Sequence, residues 1–327
     1  EAAGRLSFNI LLAGFEMFRA LSMFMVLFSD LTIGQMFAVF SYLWFMLTPM
    51  QEIINIQYSY HSAKAALQRI NQLFTLAYEP NYPHQHNPFE NQNTTAIRLE
   101  NVCFSYSKPD WVLNHISLNI KSGEKVAFVG ASGGGKTTLV QVLLGLYVPQ
   151  SGMVYYNEVP ITKMGLNVVR EQVITVLQQP ALFNDTLHMN LTLGRELSED
   201  KLWQALEIAQ LSDFVQQMPD GLDTLLGKQG VRLSGGQRQR VAVARMILAD
   251  PKIVILDEAT SALDTETERK LHLALNEFLK GKTTIIIAHR LSAVKQADRV
   301  FVFEQGQIIE QGSQENLLRE QGLYLSL

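Results

Sequence analysis

The residues with the plainest chemistry are Gly130-Ala131-Ser132-Gly133-Gly134-Gly135-Lys136-Thr137, with Thr138 following. Glycines at this spacing let successive backbone N–H groups curl round an anion, and the N-terminus of the helix that follows adds its positive end. Lys136 is placed to reach terminal phosphates, and the Thr137 hydroxyl to ligate Mg²⁺. A phosphate site of this kind needs a carboxylate for the metal's water shell. Ile253-Val254-Ile255-Leu256 runs directly into Asp257-Glu258, so Asp257 is read as that carboxylate and Glu258 as the group that polarises an attacking water. Leu233-Ser234-Gly235-Gly236-Gln237, ahead of an amphipathic stretch to Leu248, forms a second cradle for an anion at a helix N-terminus. One nucleotide needs one phosphate loop, so the second cradle implies a composite site.

These groups need an α/β scaffold. Lys125–Val129 reads as a short buried strand feeding the loop, and Thr138–Leu144 as the helix leaving it. Four branched residues at Ile253–Leu256 read as a parallel strand covered on both faces. Ile97–Tyr106 and Ile116–Ile120 alternate like half-buried antiparallel strands. Asn93, Asn184 and Asn190 each begin a glycosylation-type triplet, inert on the cytoplasmic side.

The front of the chain belongs to a different solvent. Of the 58 charged side chains, eight lie in residues 1–78, half the density of the remainder. Leu31–Gln51 carries no charge, and Leu6–Phe28 only Glu16 and Arg19. Runs of this length match a hydrocarbon core of about 30 Å. Glu16 and Arg19, three apart, share one helix face and can neutralise each other, as a plain ion pair or as part of a substrate path. Lys64 and Arg69 place residues from 56 onward in the cytoplasm, and Pro49 is tolerable inside a span. The expected organisation is membrane spans at about 6–28 and 31–51, a cytoplasmic helical extension at 52–78, a linker at 79–96, and a soluble domain at 97–327. The linker is rich in Pro and Asn, and its His84 and His86 read as solvated loop residues. Since the chain opens on Glu1 without a basic leader, it is expected to be a piece of a longer polypeptide.

Composition excludes other classes. A net charge of −4 without a basic run argues against nucleic acid as a partner. The single cysteine, Cys103, excludes a disulfide framework and a multi-thiolate zinc site.

Taken in order, the phosphate loop, Leu233–Gln237, Asp257-Glu258, Ser261-Ala262-Leu263-Asp264 and the strand ending in Ala288-His289 resemble the ATP-binding-cassette (ABC) ATPases. The N-terminal membrane part resembles the last two spans of the exporter branch. The fold class implied is an α-helical transmembrane segment followed by an α/β P-loop domain with an antiparallel β subdomain and a helical subdomain. The resemblance implies ATP and Mg²⁺. It makes Tyr106 the residue that stacks on adenine, where the residues alone suggest a strand position. It gives Gln178, with Gln179 an adjacent alternative register, contacts to Mg²⁺ and water and a link to the membrane domain. It assigns Ser234, Gly235, Gly236 and Gln237 to ATP held by a second cassette, Asp264 to the dimer seam and His289 to the γ-phosphate. The implied partners are a second half-transporter, identical or not, the bilayer and an unidentified substrate. The implied location is a bacterial inner membrane with the cassette in the cytoplasm. A membrane-anchored ATPase that regulates or gates, and an uptake system on the same fold, are the competing readings.

Overall fold

In a computed structural model of the chain, the described residues are all except 1, 27, 31, 91, 93, 108–109, 228–232, 258–261, 289–293, 320–321 and 327. They divide into two compact units, Glu1–Pro80 and Asn81–Leu327.

The first unit consists of α1 (Ala2–Val26) and α2 (Ile33–Phe74). Thr32 caps α2 reciprocally with Gln35, which satisfies N–H groups that the first turn would leave bare. Pro49 lies inside α2, which continues without a break from its apolar to its polar half. Arg19 and Glu16 pair at 2.7 Å, as their spacing predicts, and Phe15 meets Trp44 edge to face. Among the described residues one helix, α2, is long and apolar enough to cross a membrane.

The second unit has three layers. Four antiparallel strands, β1 (Ile97–Phe104), β2 (Leu113–Ile120), β4 (Ser151–Tyr156) and β5 (Val159–Pro160), pair in the order β2-β1-β4-β5. The second sheet contains β3 (Lys125–Val129), β6 (Val173–Val176), β7 (Ile253–Asp257), β8 (Thr283–Ile287), β9 (Arg299–Glu304) and β10 (Gln307–Gly312). Its order is β10-β9-β3-β8-β7-β6, parallel except for the β9–β10 hairpin. Strand alternation divides its apolar residues between two faces. Val126, Phe128, Ile253, Ile255, Phe301 and Phe303 face a core shared with the antiparallel sheet and α3 (Lys136–Leu143). Val254 and Val176 face a second core, with α6 (Glu199–Ile208) and α8 (Gly235–Ala249). The intervening helices are α4 (Leu166–Gln172), α5 (Leu187–Thr192) and α7 (Ser212–Gln216), and the later ones are α9 (Thr265–Phe278), α10 (Gln314–Arg319) and α11 (Leu323–Ser326).

Three local expectations are revised. β1 ends at Phe104, so Tyr106 lies beyond the strand. β1 also lacks clean alternation, because its register shifts between Leu99 and Val102, where Asn101 turns to φ +47°. Part of the stretch expected to be linker is packed: Phe89 is buried in the first core, and Asn157 Nδ2 donates to the Pro88 carbonyl. One aromatic ring among polar residues is enough to dock the segment, since its burial contributes about 2 kcal/mol. His84 and His86 remain exposed, as expected.

Candidate nucleotide-binding and hydrolysis site

β3, β8 and β7 are neighbouring parallel strands, so Gly130, Ala288 and Asp257 all emerge at the same carboxyl edge of the sheet. Ligands of open α/β sheets bind at such an edge. Gly130 turns the chain off β3 at φ +136°, where a Cβ would lie 2.1 Å from the Phe303 carbonyl oxygen. No other residue type fits there. Lys136 opens α3 and is buried. Its Nζ donates to the carbonyls of Gly130 (2.8 Å) and Ala131 (3.0 Å), which folds the side chain back over the loop. Burial lowers the ammonium below its usual 10.5, and the negative charge of Asp257 opposes that shift. The lysine and the carboxylate, distant in sequence, therefore share one field. Thr137 is exposed beside them, while Thr138 is buried.

Tyr106 is 60% exposed, and its hydroxyl is 3.1 Å from Thr138 Oγ1. Phe104 and Tyr147 meet its ring edge to face. The ring is thus braced from behind and tied to the phosphate-loop helix. No strand pattern could disclose this bracing, which leaves most of the ring open to solvent.

The second cradle is built on α8. Ser234 caps the helix through Gln237 N, and Gln237 Oε1 accepts from Ser234 N. A Cβ on Gly236 would meet the Ala262 carbonyl at 2.9 Å, so this helix start lies flat against the segment before Asp264. Asp264 caps α9, accepting from Thr267 N at 3.0 Å, and that bond holds its carboxyl below the usual carboxylate range. Gln178 and Gln179 follow β6, both with exposed side chains.

Three residues at this site escaped the sequence reading. Gln239 is buried in α8; its Nε2 donates to the Gln178 carbonyl (2.9 Å) and its Oε1 accepts from Ala262 N (3.1 Å). Arg245, further along α8, donates to the Ala181 carbonyl (2.8 Å) and Asn190 Oδ1 (2.6 Å). Asn190 is fully buried and donates to the Phe183 and Thr186 carbonyls, so its triplet is no glycosylation acceptor. The only sequence signal was a polar residue on a helix's apolar face. Glu258 and His289 lie outside the described residues, and only their neighbours Asp257 and Ala288 can be placed.

The donors suit magnesium. Thr137, Gln178 and Asp257 offer oxygen, and the described residues hold no cluster of three His, Cys, Asp or Glu that would cage a metal by itself. Magnesium binds through one or two carboxylates plus substrate phosphates and keeps several waters.

A phosphate loop that opens α3 on one face of the central sheet, with a second glycine-rich helix start opening α8 on the other, is the arrangement of a P-loop cassette. Residues 113–261 match the family described as ABC transporter. The ATP-dependent lipid A-core flippase of Burkholderia orbicola (strain AU 1054) is 41% identical over 297 residues, which cover 90% of this chain and 50% of that protein. The uncharacterized ABC transporter ATP-binding protein YwjA of Bacillus subtilis (strain 168) is 48% identical over 232 residues, 71% of this chain and 40% of that one. A solved bacterial Atm1-family ABC exporter with ATP bound superimposes with a TM-score of 0.74 at 33% identity, covering 91% of this chain and 53% of the other. The chain belongs to the ABC transporter family. It spans about half the length of the curated flippases it matches.

Proposed function

We propose that this chain is the ATP-hydrolysing part of an exporter-type half-transporter, working as a pair with a second, identical or related, subunit. The observation that carries the reading is a pair of glycine-rich helix starts, at α3 and at α8, on opposite faces of the central sheet, each read as an anion cradle. A single nucleotide uses one, so the other serves ATP held by the partner.

Lys136 and the amides of Gly130–Thr138 take the phosphates, and the exposed face of Tyr106 takes the adenine. Phosphoryl transfer to water depends mainly on positioning and charge neutralisation. Thr137, Gln178 and, through water, Asp257 are the residues that would hold Mg²⁺, which when bound neutralises charge on the phosphate oxygens. Glu258 orients or deprotonates the attacking water, and His289 stabilises charge developing on the γ-phosphate. Ser234, Gly235, Gly236 and Gln237 contact ATP across the seam beside Asp264. Segments at about 6–28 and 31–51 are the spans of a multi-pass protein of a bacterial inner membrane. Residues 52–78 continue into the cytoplasm and 79–96 lead to the cassette at 97–327. Closure of the paired cassettes on ATP switches access to the pathway.

The test is reconstitution of the protein in sealed proteoliposomes with ATP on the cassette side. ATP-dependent movement of a labelled amphiphile away from that side is expected, and the flippase relatives make a glycolipid the first probe. Hydrolysis without movement would favour a gate or regulator, and movement toward the ATP side an uptake system.

A further inference from the structure

Gln239 reaches two of the segments that the proposed hydrolysis depends on. It lies five residues into α8 and is 2% exposed. Two of its hydrogen bonds have fixed polarity: the Gln178 carbonyl can only accept, and Ala262 N can only donate. The amide therefore has one orientation, nitrogen toward Gln178 and oxygen toward Ala262. Gln178 carries the side chain proposed for Mg²⁺ and water. Ala262 lies between the Asp257-Glu258 pair and Asp264. The helix that bears Gln239 starts at Ser234, and Gly236 rests on the Ala262 carbonyl.

Building on the function proposed above, we infer that Gln239 is a positioning residue for hydrolysis, a two-ended amide strut that fixes the Gln178 segment and the Ala262–Asp264 segment relative to each other and to α8. Neither segment can shift alone without breaking its bond to this buried amide, so contact with nucleotide at one is transmitted to the seam at the other. A strut touches no substrate. Its loss lowers turnover and leaves ATP binding almost as it was.

The experiment measures ATPase kinetics of the protein, paired with its partner subunit in lipid nanodiscs, for two variants. Gln239→Met keeps length and loses both bonds. Gln239→Glu keeps the acceptor for Ala262 N and loses the donor toward Gln178. Both should lower kcat at least about tenfold, the effect expected of an unmade buried hydrogen bond. The KM for ATP should stay within about twofold, and in a Gln178→Ala background Gln239→Glu should add less than about twofold, because both act through one segment. Unchanged kcat, KM rising in step with the loss of kcat, or full multiplication with Gln178→Ala would overturn the inference. If the Met variant does not fold, the Glu variant decides; if neither folds, Gln239 is only structural and the inference fails. A wild-type protein without ATPase activity would instead remove the function proposed above.

Discussion

Replacing Gly130 or Gly133 by alanine makes the same chemical change three residues apart in one loop, with different expected costs. Both glycines have positive φ, +136° and +82°. At Gly133 an added Cβ meets nothing within 4 Å. The cost there is the left-handed backbone alone, about 1–2 kcal/mol. At Gly130 the Cβ would lie 2.1 Å from the Phe303 carbonyl oxygen, on the strand paired with β3 through Val129 and Val302. Relief requires β3 and β9 to separate inside a core that includes Phe128, Phe301 and Phe303. Strain and lost packing together should reach at least about 4 kcal/mol, a value single substitutions rarely exceed. Stability of this size is a large share of the roughly 5–15 kcal/mol available to a domain. Thermal unfolding followed through Trp111 and Trp203 reads the difference. Gly133→Ala should lower Tm by about 3–6 °C and Gly130→Ala by at least about 10 °C. Equal shifts would refute the steric reasoning, since φ alone would then set the cost.

Glu258→Gln should leave ATP binding intact while hydrolysis falls by about two to four orders of magnitude; near-normal turnover in a phosphate-release assay would sink the proposed role. Lys136→Met should weaken nucleotide binding itself, checked by equilibrium titration with a fluorescent ATP analogue. The same variant tests the lowered lysine pKa. The folded chain sheds this proton before the unfolded one does, so between the folded value and 10.5 the lysine makes stability rise with pH. Comparing Tm against pH for the wild type and Lys136→Met over that window should show the slope lost in the variant. Thr283→Val should cost about 1–3 kcal/mol, because the buried hydroxyl donates to the Thr95 carbonyl and accepts from Gly123 N, and both would be left unpaired. Chemical denaturation showing no loss would refute that account.

Most of the scaffold was legible along the chain. The strand–loop–helix at Lys125–Leu143 and the strand ending in Asp257 carry their pattern within a dozen residues, and the structure has them there. The start of α8 announced itself through Ser234 and two glycines. Tyr106 was harder, because its usefulness comes from Phe104 and Tyr147 behind the ring and Thr138 at its hydroxyl. Phe89 was hidden by the prolines and asparagines around it, which suggest a loop whatever one ring does.

The sequence by itself determined the chemistry of each part: which loop can cradle phosphate, which strand delivers a carboxylate, and which segments are too apolar for water. Those properties depend on neighbours a few residues away, where backbone geometry alone settles what meets what. Only the tertiary structure decided how the parts combine. Lys136 shares its field with Asp257 because β3 and β7 flank β8 in one parallel sheet. Gln178 and Ala262, 61 and 23 residues from Gln239, meet on its amide because α8 packs beneath the strand edge that carries both segments. Sheet order and helix packing select such long-range pairs by burying apolar faces, and polar partners are brought together by hydrophobic residues that themselves do no chemistry.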